Sequence, residues 1–491
     1  MAEIPSHTTS WASPSTADYL AFHAAHRPDA IGVIGNGVEY SYACFHRDLR
    51  KVTHALAAFG LERGSLVAVA CGGVYIHWLL LLGWENLGIA TASFIRGESS
   101  ATLLALLARA DLVMSEADLP PSSKARHHKL TQPWVAAVLR SPLPPTGDQS
   151  MGPGVALAEV LRIRRSSGTT GGQKMMAVTR QMEEFFISGY LLRYGFTPSS
   201  RSLIVLGFGV AAAYGNATAC LRLGAAVVYD SRLDTARSIV AYQPSHVRLY
   251  PYQLPALLAM FATDLPKPKA LTVSLGAAPL SKELRSKVLK LLATRLIYSY
   301  NCNEAGTIAE IDADGNASLL PGIQAEVVDK DDVPAQPDQI GRVRVRSPAM
   351  VEGYLENPEA TAQMFRDGWF YTGDAGIMVG PRRLKIVGRI DELLNVGGLK
   401  VSPEDVRNSV AQVPGVIDVG VTSVANADDV EEIGIAVVLG EGADIGNVRA
   451  RIARRMKAYG NAQLIAVARI PRTAETGKIQ RAELKKLFVR A

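Results

Sequence analysis

The sequence of 491 residues contains only four cysteines, Cys44, Cys71, Cys220 and Cys302, and they lie far apart. They do not form the closely spaced pairs that structural zinc sites and redox-active dithiols use, so the sequence argues against both kinds of site. Scattered cysteines without a disulfide pattern are typical of a reducing compartment. We therefore expect a cytoplasmic protein.

Long apolar runs are also absent. The longest apolar stretch, Val74 to Trp84, contains His77 and is shorter than the roughly 20 residues that a membrane-spanning helix needs. The first residues lack the basic start and apolar core of a secretory signal peptide. With no repeats and 48% hydrophobic residues, the composition is that of a globular enzyme of two or three domains, and we expect no membrane partner.

Positive charge is concentrated near the C-terminus, although the net charge of the chain is only +6. The segment from Arg449 to Ala491 contains twelve lysines and arginines but only two acidic residues, Glu475 and Glu483. This segment favours an acidic partner such as a nucleotide, a carrier protein or nucleic acid, with a solvated helix face as the ordinary alternative. Nucleic acid is disfavoured because no motif for binding it accompanies the charge.

The hydrophobic pattern divides the chain into two parts. Short apolar runs alternate with helix-length segments in the first part, which predicts a largely parallel sheet covered by helices, followed by a small β-subdomain over 325–346. We place a boundary at 390, so that domain 1–390 is followed by an α+β domain over 391–491. In the second domain Ser402 is the predicted N-cap of a helix that begins at Pro403.

One segment combines many groups that bind phosphate: Arg165-Ser166-Ser167-Gly168-Thr169-Thr170-Gly171-Gly172-Gln173-Lys174. Its glycines let the backbone approach a ligand closely, its hydroxyls donate hydrogen bonds, and its lysine supplies a positive charge. It contains no carboxylate, and it lacks the Gly-Lys-Ser/Thr ending of P-loop nucleotidases. The segment predicts a polyphosphate-binding loop, with a flexible linker as the alternative.

Three charged residues further along the chain suit the rest of a nucleotide. Glu304 follows an apolar strand, which places a hard oxygen ligand for Mg²⁺ at a strand end. Asp374 could accept both hydroxyls of a ribose, and Arg389 offers a donor fork for ribose or phosphate oxygens. Their ordinary alternatives are an exposed turn glutamate, a turn-forming aspartate and a surface ion pair.

Six segments in this order resemble the motifs of the adenylate-forming superfamily, which comprises acyl-CoA synthetases, carrier-protein-loading adenylation domains and luciferases. They are Ser166–Lys174, Gly276–Leu280, Tyr300–Glu304, Asp367–Asp374, Gly388–Glu392, and Pro471–Thr473 with Thr476–Lys478. The resemblance implies a large N-terminal α/β domain and a small mobile α+β C-terminal domain. It also implies ATP, Mg²⁺ and either CoA or the phosphopantetheine of a carrier protein as cofactors.

The same resemblance assigns roles to individual residues. Glu304 would hold the metal and, with Asn303, take part in catalysis. The residues implied for binding ATP or AMP are Ser166, Ser167, Gly168, Thr169, Thr170, Gly171, Lys174, Gly276, Ala277, Ala278, Pro279, Tyr300, Asn301, Asp374 and Arg389. Those implied for the acyl pocket are Phe208, Gly209, Tyr214, Gly276 and Cys302. This pocket has no aspartate for an ammonium group, so we expect an uncharged aryl or medium acyl group rather than an α-amino acid.

The C-terminal domain would supply the remaining groups. Lys478 resembles the lysine that enters the site when the small domain closes and bridges the carboxylate and the α-phosphate. Asp391 lies where the family has its hinge, and rotation there would replace Lys478 with Gly397 and Gly398, which would lie against the pantetheine arm.

The sequence departs from the family pattern at four places. Gln173 replaces a proline in the phosphate loop, Asn301 replaces a glycine, and Asn303 replaces a threonine. Between Arg472 and Lys478 there is one residue more than usual. These departures leave open a nucleotide-binding homologue without catalysis as one alternative.

The predicted function is an aryl- or acyl-CoA ligase. A carboxylic acid would attack the α-phosphate of ATP, release pyrophosphate and form an acyl-adenylate, and CoA would then displace AMP. A stand-alone adenylation enzyme that loads an acidic carrier protein is the first alternative. A homodimer stays an open possibility for the assembly.

Overall fold

The computed structural model describes residues 13–95, 101–120, 123, 125–145, 155–166, 174–276, 280–336, 338–396, 399–425, 431–456, 462–472 and 479–489. The helices are α1 (Thr16–His26), α2 (Tyr42–Ala57), α3 (Val74–Asn86), α4 (Ala101–Arg109), α5 (Gln132–Arg140), α6 (Arg180–Tyr194), α7 (Ala211–Arg222), α8 (Thr235–Tyr242), α9 (Leu254–Thr263), α10 (Lys282–Leu291), α11 (Pro358–Met364), α12 (Pro403–Ala411), α13 (Ile445–Met456) and α14 (Arg481–Val489).

The strands of the first half are β1 (Ile31–Gly35), β2 (Val38–Ser41), β3 (Leu66–Ala70), β4 (Ala90–Ser93), β5 (Leu112–Ser115), β6 (His127–Lys129), β7 (Val160–Arg165), β8 (Met175–Thr179), β9 (Arg201–Leu203), β10 (Ala226–Tyr229) and β11 (His246–Arg248). Those of the second half are β12 (Thr272–Gly276), β13 (Arg295–Cys302), β14 (Gly306–Ile311), β15 (Asn316–Leu319), β16 (Gln324–Val328), β17 (Gly341–Arg346), β18 (Phe365–Arg366), β19 (Trp369–Gly380), β20 (Arg383–Arg389), β21 (Leu394–Val396), β22 (Leu399–Val401), β23 (Val416–Ala425), β24 (Glu431–Leu439) and β25 (Ala462–Ala466).

The largest sheet carries most of the predicted site. Its order is β16-β17-β19-β20-β15-β14-β13-β12-β11-β9-β10-β1-β2, with β18 beside β19. The run from β13 through β12, β11, β9 and β10 to β1 is parallel, which confirms the predicted parallel α/β arrangement. The strands predicted over 325–346 have their own hydrophobic cluster, yet they continue this sheet through antiparallel pairs rather than forming a separate one.

A second sheet, of order β6-β5-β3-β4-β7-β8, presents the phosphate-loop segment. Its last two strands are an antiparallel hairpin in which Arg165 lies opposite Met175. The main core cluster draws side chains from strands of both sheets and from helices α1, α2, α3, α6 and α7. Packing of helices against both sheets therefore fixes where the strand ends lie relative to one another.

The smaller C-terminal domain has its own core. Strands β23, β24 and β25 form one sheet, and a separate hydrophobic cluster joins them to α12 and α13. The predicted cap of α12 is present, since the Ser402 side chain accepts a hydrogen bond from the amide of Asp405. Ser402 also donates to the carbonyl of Val387, 2.7 Å away, which connects this helix start to the large domain. Within the described ranges, no helix combines the length and apolarity that crossing a bilayer requires.

Candidate active site

The side chains of Tyr300 on β13 and Asp374 on β19 are in contact, although β14, β15 and β20 lie between these two strands in the sheet order. The Tyr300 hydroxyl donates a hydrogen bond to the Asp374 carboxylate. Burial raises the pKa of Tyr300 well above its usual value, and the neighbouring Asp374 charge adds to that rise. A neutral phenol that donates to a carboxylate leaves the other carboxylate lone pairs able to accept hydroxyl hydrogens. The pair thus has the chemistry of a ribose acceptor beside an aromatic ring.

Arg389 lies on the neighbouring strand, where β20 pairs with β19 and places it opposite Asp374. One guanidinium nitrogen donates to the carbonyl of Thr372 at 2.8 Å and lies 3.5 Å from Asp374 Oδ1. Its Nε lies 3.4 Å from Asp391 Oδ1, so the arginine connects the predicted ribose acceptor with the predicted hinge. Gly373 gives the guanidinium room to lie here, because a β-carbon at this position would clash with it. The φ of Gly373, +76°, is also one that glycine adopts more readily than other residues.

Glu304 lies two residues after the end of β13, at a strand end as the sequence predicted. Its Oε1 accepts a hydrogen bond of 3.1 Å from the Tyr354 hydroxyl. Burial raises the pKa of Glu304, although the hydrogen bond from Tyr354 and the charge of Lys174 oppose the rise. Lys174 Nζ lies 4.6 Å from the centre of the Tyr354 ring, within cation–π range. A carboxylate whose charge is destabilised by burial favours a cation beside it.

The base of the phosphate loop is closed by local hydrogen bonds. The amide of Lys174 donates to the Ser166 hydroxyl at 3.0 Å, and the amide of Ser166 donates to the carbonyl of Lys174 at 2.8 Å. Asn303 joins this base to β13, because its side-chain amide donates to the carbonyl of Arg165 at 2.9 Å. The predicted phosphate ligands Ser167, Gly168, Thr169, Thr170 and Gly171 lie outside the described residues.

Gly276 ends β12 beside the Tyr300 strand. A β-carbon at this position would lie 2.9 Å from the Asn301 amide nitrogen and 3.1 Å from Arg248 Nη2. A side chain here would have to displace these two side-chain ends, so the glycine lets both lie close to the backbone of β12. The rest of the predicted adenine wall, Ala277, Ala278 and Pro279, lies outside the described residues.

The predicted acyl-pocket residues occupy different surroundings. Phe208 and Tyr214 belong to the main core, their ring centres are 5.3 Å apart, and Arg162 donates a hydrogen bond to the Tyr214 hydroxyl. Gly209 faces Ile95, whose Cγ1 would lie 3.2 Å from an added β-carbon. Burial raises the pKa of the Cys302 thiol, and the Glu304 charge adds to the rise. Their roles toward an acyl group stay predictions.

The C-terminal residues of the predicted site, Lys478, Gly397 and Gly398, lie outside the described residues. The segment that carries Lys478 is bounded by an isolated antiparallel bridge between Arg472 and Ile479. Arg472 is held in turn by Asp418, at 2.7 Å. The additional residue found in the sequence therefore falls between two positions, Arg472 and Ile479, that are paired with each other.

Sequence reasoning missed Tyr354 and Arg248. Tyr354 lies 50 positions after Glu304, with which it forms a hydrogen bond, and no local motif marks it. Arg248 had a weak signal, since it is the one charged residue in the apolar run Val247–Tyr250. A charge inside an apolar strand is rare enough to single out.

Replacing Asp374 with asparagine is expected to stabilise the ligand-free protein at neutral pH. Burial raises the pKa of Asp374 above its ordinary 3.8, although Tyr300 and Arg389 oppose the rise. The folded state therefore binds this proton more tightly than the unfolded state, and stability falls as the pH rises through the interval between the two pKa values. Asparagine removes this loss, so we expect a melting temperature roughly 1–3 °C higher at neutral pH.

Thermal unfolding of both proteins over a pH series checks this expectation. The difference should shrink at acidic pH, where Asp374 is protonated in the parent protein as well. Asp314→Asn, in an exposed turn, is the matched control and should show no such pattern. A lower melting temperature of Asp374→Asn at neutral pH would contradict the expectation.

Known proteins share sequence similarity with most of this chain. The family described as "AMP-binding enzyme" matches residues 20–355. A 4-coumarate–CoA ligase-like 9 from Oryza sativa subsp. japonica is 24% identical, with 95% of this chain and 91% of the relative covered. A feruloyl-CoA synthase from Amycolatopsis sp is 25% identical, with 94% of this chain and 96% of the relative covered.

A solved structure shares the architecture over nearly its full length. ATP-bound MatB from Rhodopseudomonas palustris superposes with a TM-score of 0.83 at 20% identity, covering 96% of this chain and 99% of that one. The similarity confirms the predicted fold class, a large sheet-rich N-terminal domain followed by a smaller C-terminal one. Since the family match also spans well over half of the 491 residues, the chain belongs to the AMP-binding enzyme family.

Proposed function

We propose that this protein is an ATP-dependent acid–thiol ligase that forms an acyl-adenylate and transfers the acyl group to CoA. The observation that carries the proposal is the convergence of Tyr300, Asp374 and Arg389 beside the Glu304–Tyr354–Lys174 cluster. An acceptor for ribose hydroxyls and a carboxylate beside a phosphate loop provide binding groups for both ends of a nucleotide. The two relatives named above as CoA ligase-like and CoA synthase support the thiol acceptor.

The residues present fit a magnesium ion held together with ATP. Mg²⁺ is usually bound through one or two carboxylates plus substrate phosphates rather than by a cage of protein ligands. Among the described residues no cluster of three or more histidine, cysteine, aspartate or glutamate side chains could hold a metal alone. Glu304 would be its protein ligand, with one oxygen oriented by Tyr354. When bound there, the ion would neutralise charge on the departing pyrophosphate.

The remaining steps fall to residues of the chain. Lys174 and Ser166 would bind the β- and γ-phosphates, and Asp374 would fix the ribose so that the α-phosphate faces the acid. Attack by the carboxylate oxygen on the α-phosphorus breaks its bond to the bridging oxygen and releases pyrophosphate. Lys478 would stabilise the charge that develops on the non-bridging oxygens.

Thiol transfer requires a second arrangement of the C-terminal domain. We place the domain boundary between 390 and 391, with Asp391 as the hinge. Asp391 forms an ion pair with Arg389. A nucleotide that contacts Arg389 would therefore change the interactions of the hinge residue directly. Rotation would bring Gly397 and Gly398 toward the pantetheine arm, whose thiol attacks the acyl carbon and displaces AMP.

ATP–pyrophosphate exchange over a panel of aryl, fatty and amino acids tests the first half of this proposal. We expect exchange with at least one aryl or medium-chain acid, and none with α-amino acids. Product analysis with CoA and with a phosphopantetheinylated carrier protein in parallel should give the CoA thioester. Thioester on the carrier protein alone would instead establish a stand-alone loading enzyme. Nucleotide binding without exchange on any acid would establish a non-catalytic homologue.

A further inference from the structure

Two buried arginines lie next to the candidate site without a charged partner. Arg248, on β11, is 6% exposed, and Arg193, on α6, is 9% exposed. In the described part of the chain, Arg248 donates a side-chain hydrogen bond to the Tyr194 hydroxyl at 3.2 Å. Arg193 donates to the Ser299 hydroxyl at 2.7 Å and to the Gly189 carbonyl at 2.7 Å. All of these acceptors are neutral groups.

The other buried arginines of the same domain are paired differently. Arg162 lies 3.5 Å from Glu85, and both Arg180 and Arg222 lie near Glu184, at 3.9 Å and 2.5 Å. The domain therefore compensates a buried guanidinium with a glutamate at each of these positions. Arg193 and Arg248 depart from that rule, because no ion pair joins either of them to a carboxylate of the described residues.

Tyr190, whose ring centre lies 6.0 Å from the Arg193 guanidinium carbon, does not supply the missing negative charge. Burial raises the pKa of Tyr190 to about 12, although the charge of Arg248 opposes the rise, so this side chain is neutral at physiological pH. Arg193 Nη2 is buried and has no hydrogen-bond partner among the described residues. A buried cation without a counter-charge is costly, and an anion that enters the site would relieve this cost.

The position of Arg248 points to the acyl substrate as that anion. Arg248 ends β11, and Arg248 Nη2 lies 3.1 Å from where a β-carbon of Gly276 would be. Gly276 pairs with Ser299, the residue before Tyr300, so the guanidinium is one strand away from the predicted nucleotide site. The carboxyl ends of parallel strands are where α/β proteins bind their ligands.

We propose that Arg248 binds a second carboxylate on the acid substrate, with Arg193 adding positive potential behind it, so that the enzyme activates a dicarboxylic acid. This inference rests on the proposed function and replaces the sequence-based expectation of an uncharged acyl group. One carboxylate of the substrate reaches the α-phosphate, and the other forms charge-assisted hydrogen bonds with the Arg248 guanidinium. Arg248 is then a specificity-determining residue.

Calorimetric titration of the full chain, with AMP present, tests this directly. The ligands are matched pairs that differ by one charge: terephthalate against 4-carbamoylbenzoate, and adipate against its half-amide. We expect at least one diacid to bind about 30-fold or more tightly than its half-amide. Arg248→Met should abolish that preference, whereas Arg248→Lys should retain part of it.

Two variants control for structure and for general charge. Tyr194→Phe removes the hydrogen-bond partner of Arg248 and should keep the preference if Arg248 acts on the ligand rather than on the fold. Arg201→Met removes an exposed arginine from the neighbouring strand β9 and should also keep it. Melting temperatures of all variants show whether each is folded.

The outcomes separate this inference from the proposed function. Equal binding of diacids and half-amides by the parent protein, or no binding of either, would overturn the role of Arg248. A preference that survives in Arg248→Met would overturn it as well. Selective binding of a diacid without pyrophosphate exchange would support Arg248 as the anion site while refuting the ligase reaction.

Discussion

Replacing Lys478 with alanine is expected to lower the rate of acyl-adenylate formation by about 10²- to 10³-fold, the usual cost of removing one donor to a developing oxyanion. The in-line attack places charge on the non-bridging oxygens of the α-phosphate, and the ammonium group is proposed to stabilise it there. Thioester formation from supplied acyl-adenylate should continue near the parent rate, because that step is proposed to use the other arrangement of the C-terminal domain. Pyrophosphate exchange and CoA-thioester formation, measured separately, check the two halves.

The basic C-terminal segment offers a matched control for this variant. Lys485 is an exposed lysine on α14. The variant Lys485→Ala removes one positive charge from the same segment but at a different position. It should leave both half-reactions unchanged. Unchanged pyrophosphate exchange in Lys478→Ala would remove Lys478 from the reaction, and equal losses in both half-reactions would indicate a structural role.

Replacing Glu304 with glutamine is expected to lower kcat/KM for ATP in the adenylation step by about 100-fold, since the proposed metal ligand loses its charge. The substitution keeps the size of the side chain and an oxygen that can accept the Tyr354 hydrogen bond. The fold around β13 should therefore be preserved. The deficit should become smaller as the Mg²⁺ concentration rises, because mass action partly restores a weakened metal site.

Initial rates over a series of Mg²⁺ concentrations provide this measurement. Glu359→Gln, an exposed glutamate in the first turn of α11, removes an equal charge away from the site and should follow the parent curve. A Glu304→Gln protein with the parent's Mg²⁺ dependence would show that Glu304 is not the metal ligand.

Local features of the sequence were sufficient to predict many elements. Helix α1 spans Thr16–His26, and its start can be read from the sequence, since Ser15 and Asp18 form a capping box there. The predicted cap of α12 at Ser402 depends on local sequence in the same way. Helix α13 begins at Ile445, where Asp444 accepts hydrogen bonds from the backbone amides of Gly446 and Asn447.

The sequence alone determined the order of the motifs and the two-part organisation of the chain, and it predicted the residue types of the proposed nucleotide site, because each of these is written in short contiguous segments. Only the tertiary structure decided which side chains touch. Tyr354 meets Glu304 and Lys174, Tyr214 is buried against Arg162, and Arg248 lies beside Gly276 without a carboxylate. These contacts join residues far apart in the chain, and they depend on sheet order and helix packing, which no local pattern specifies.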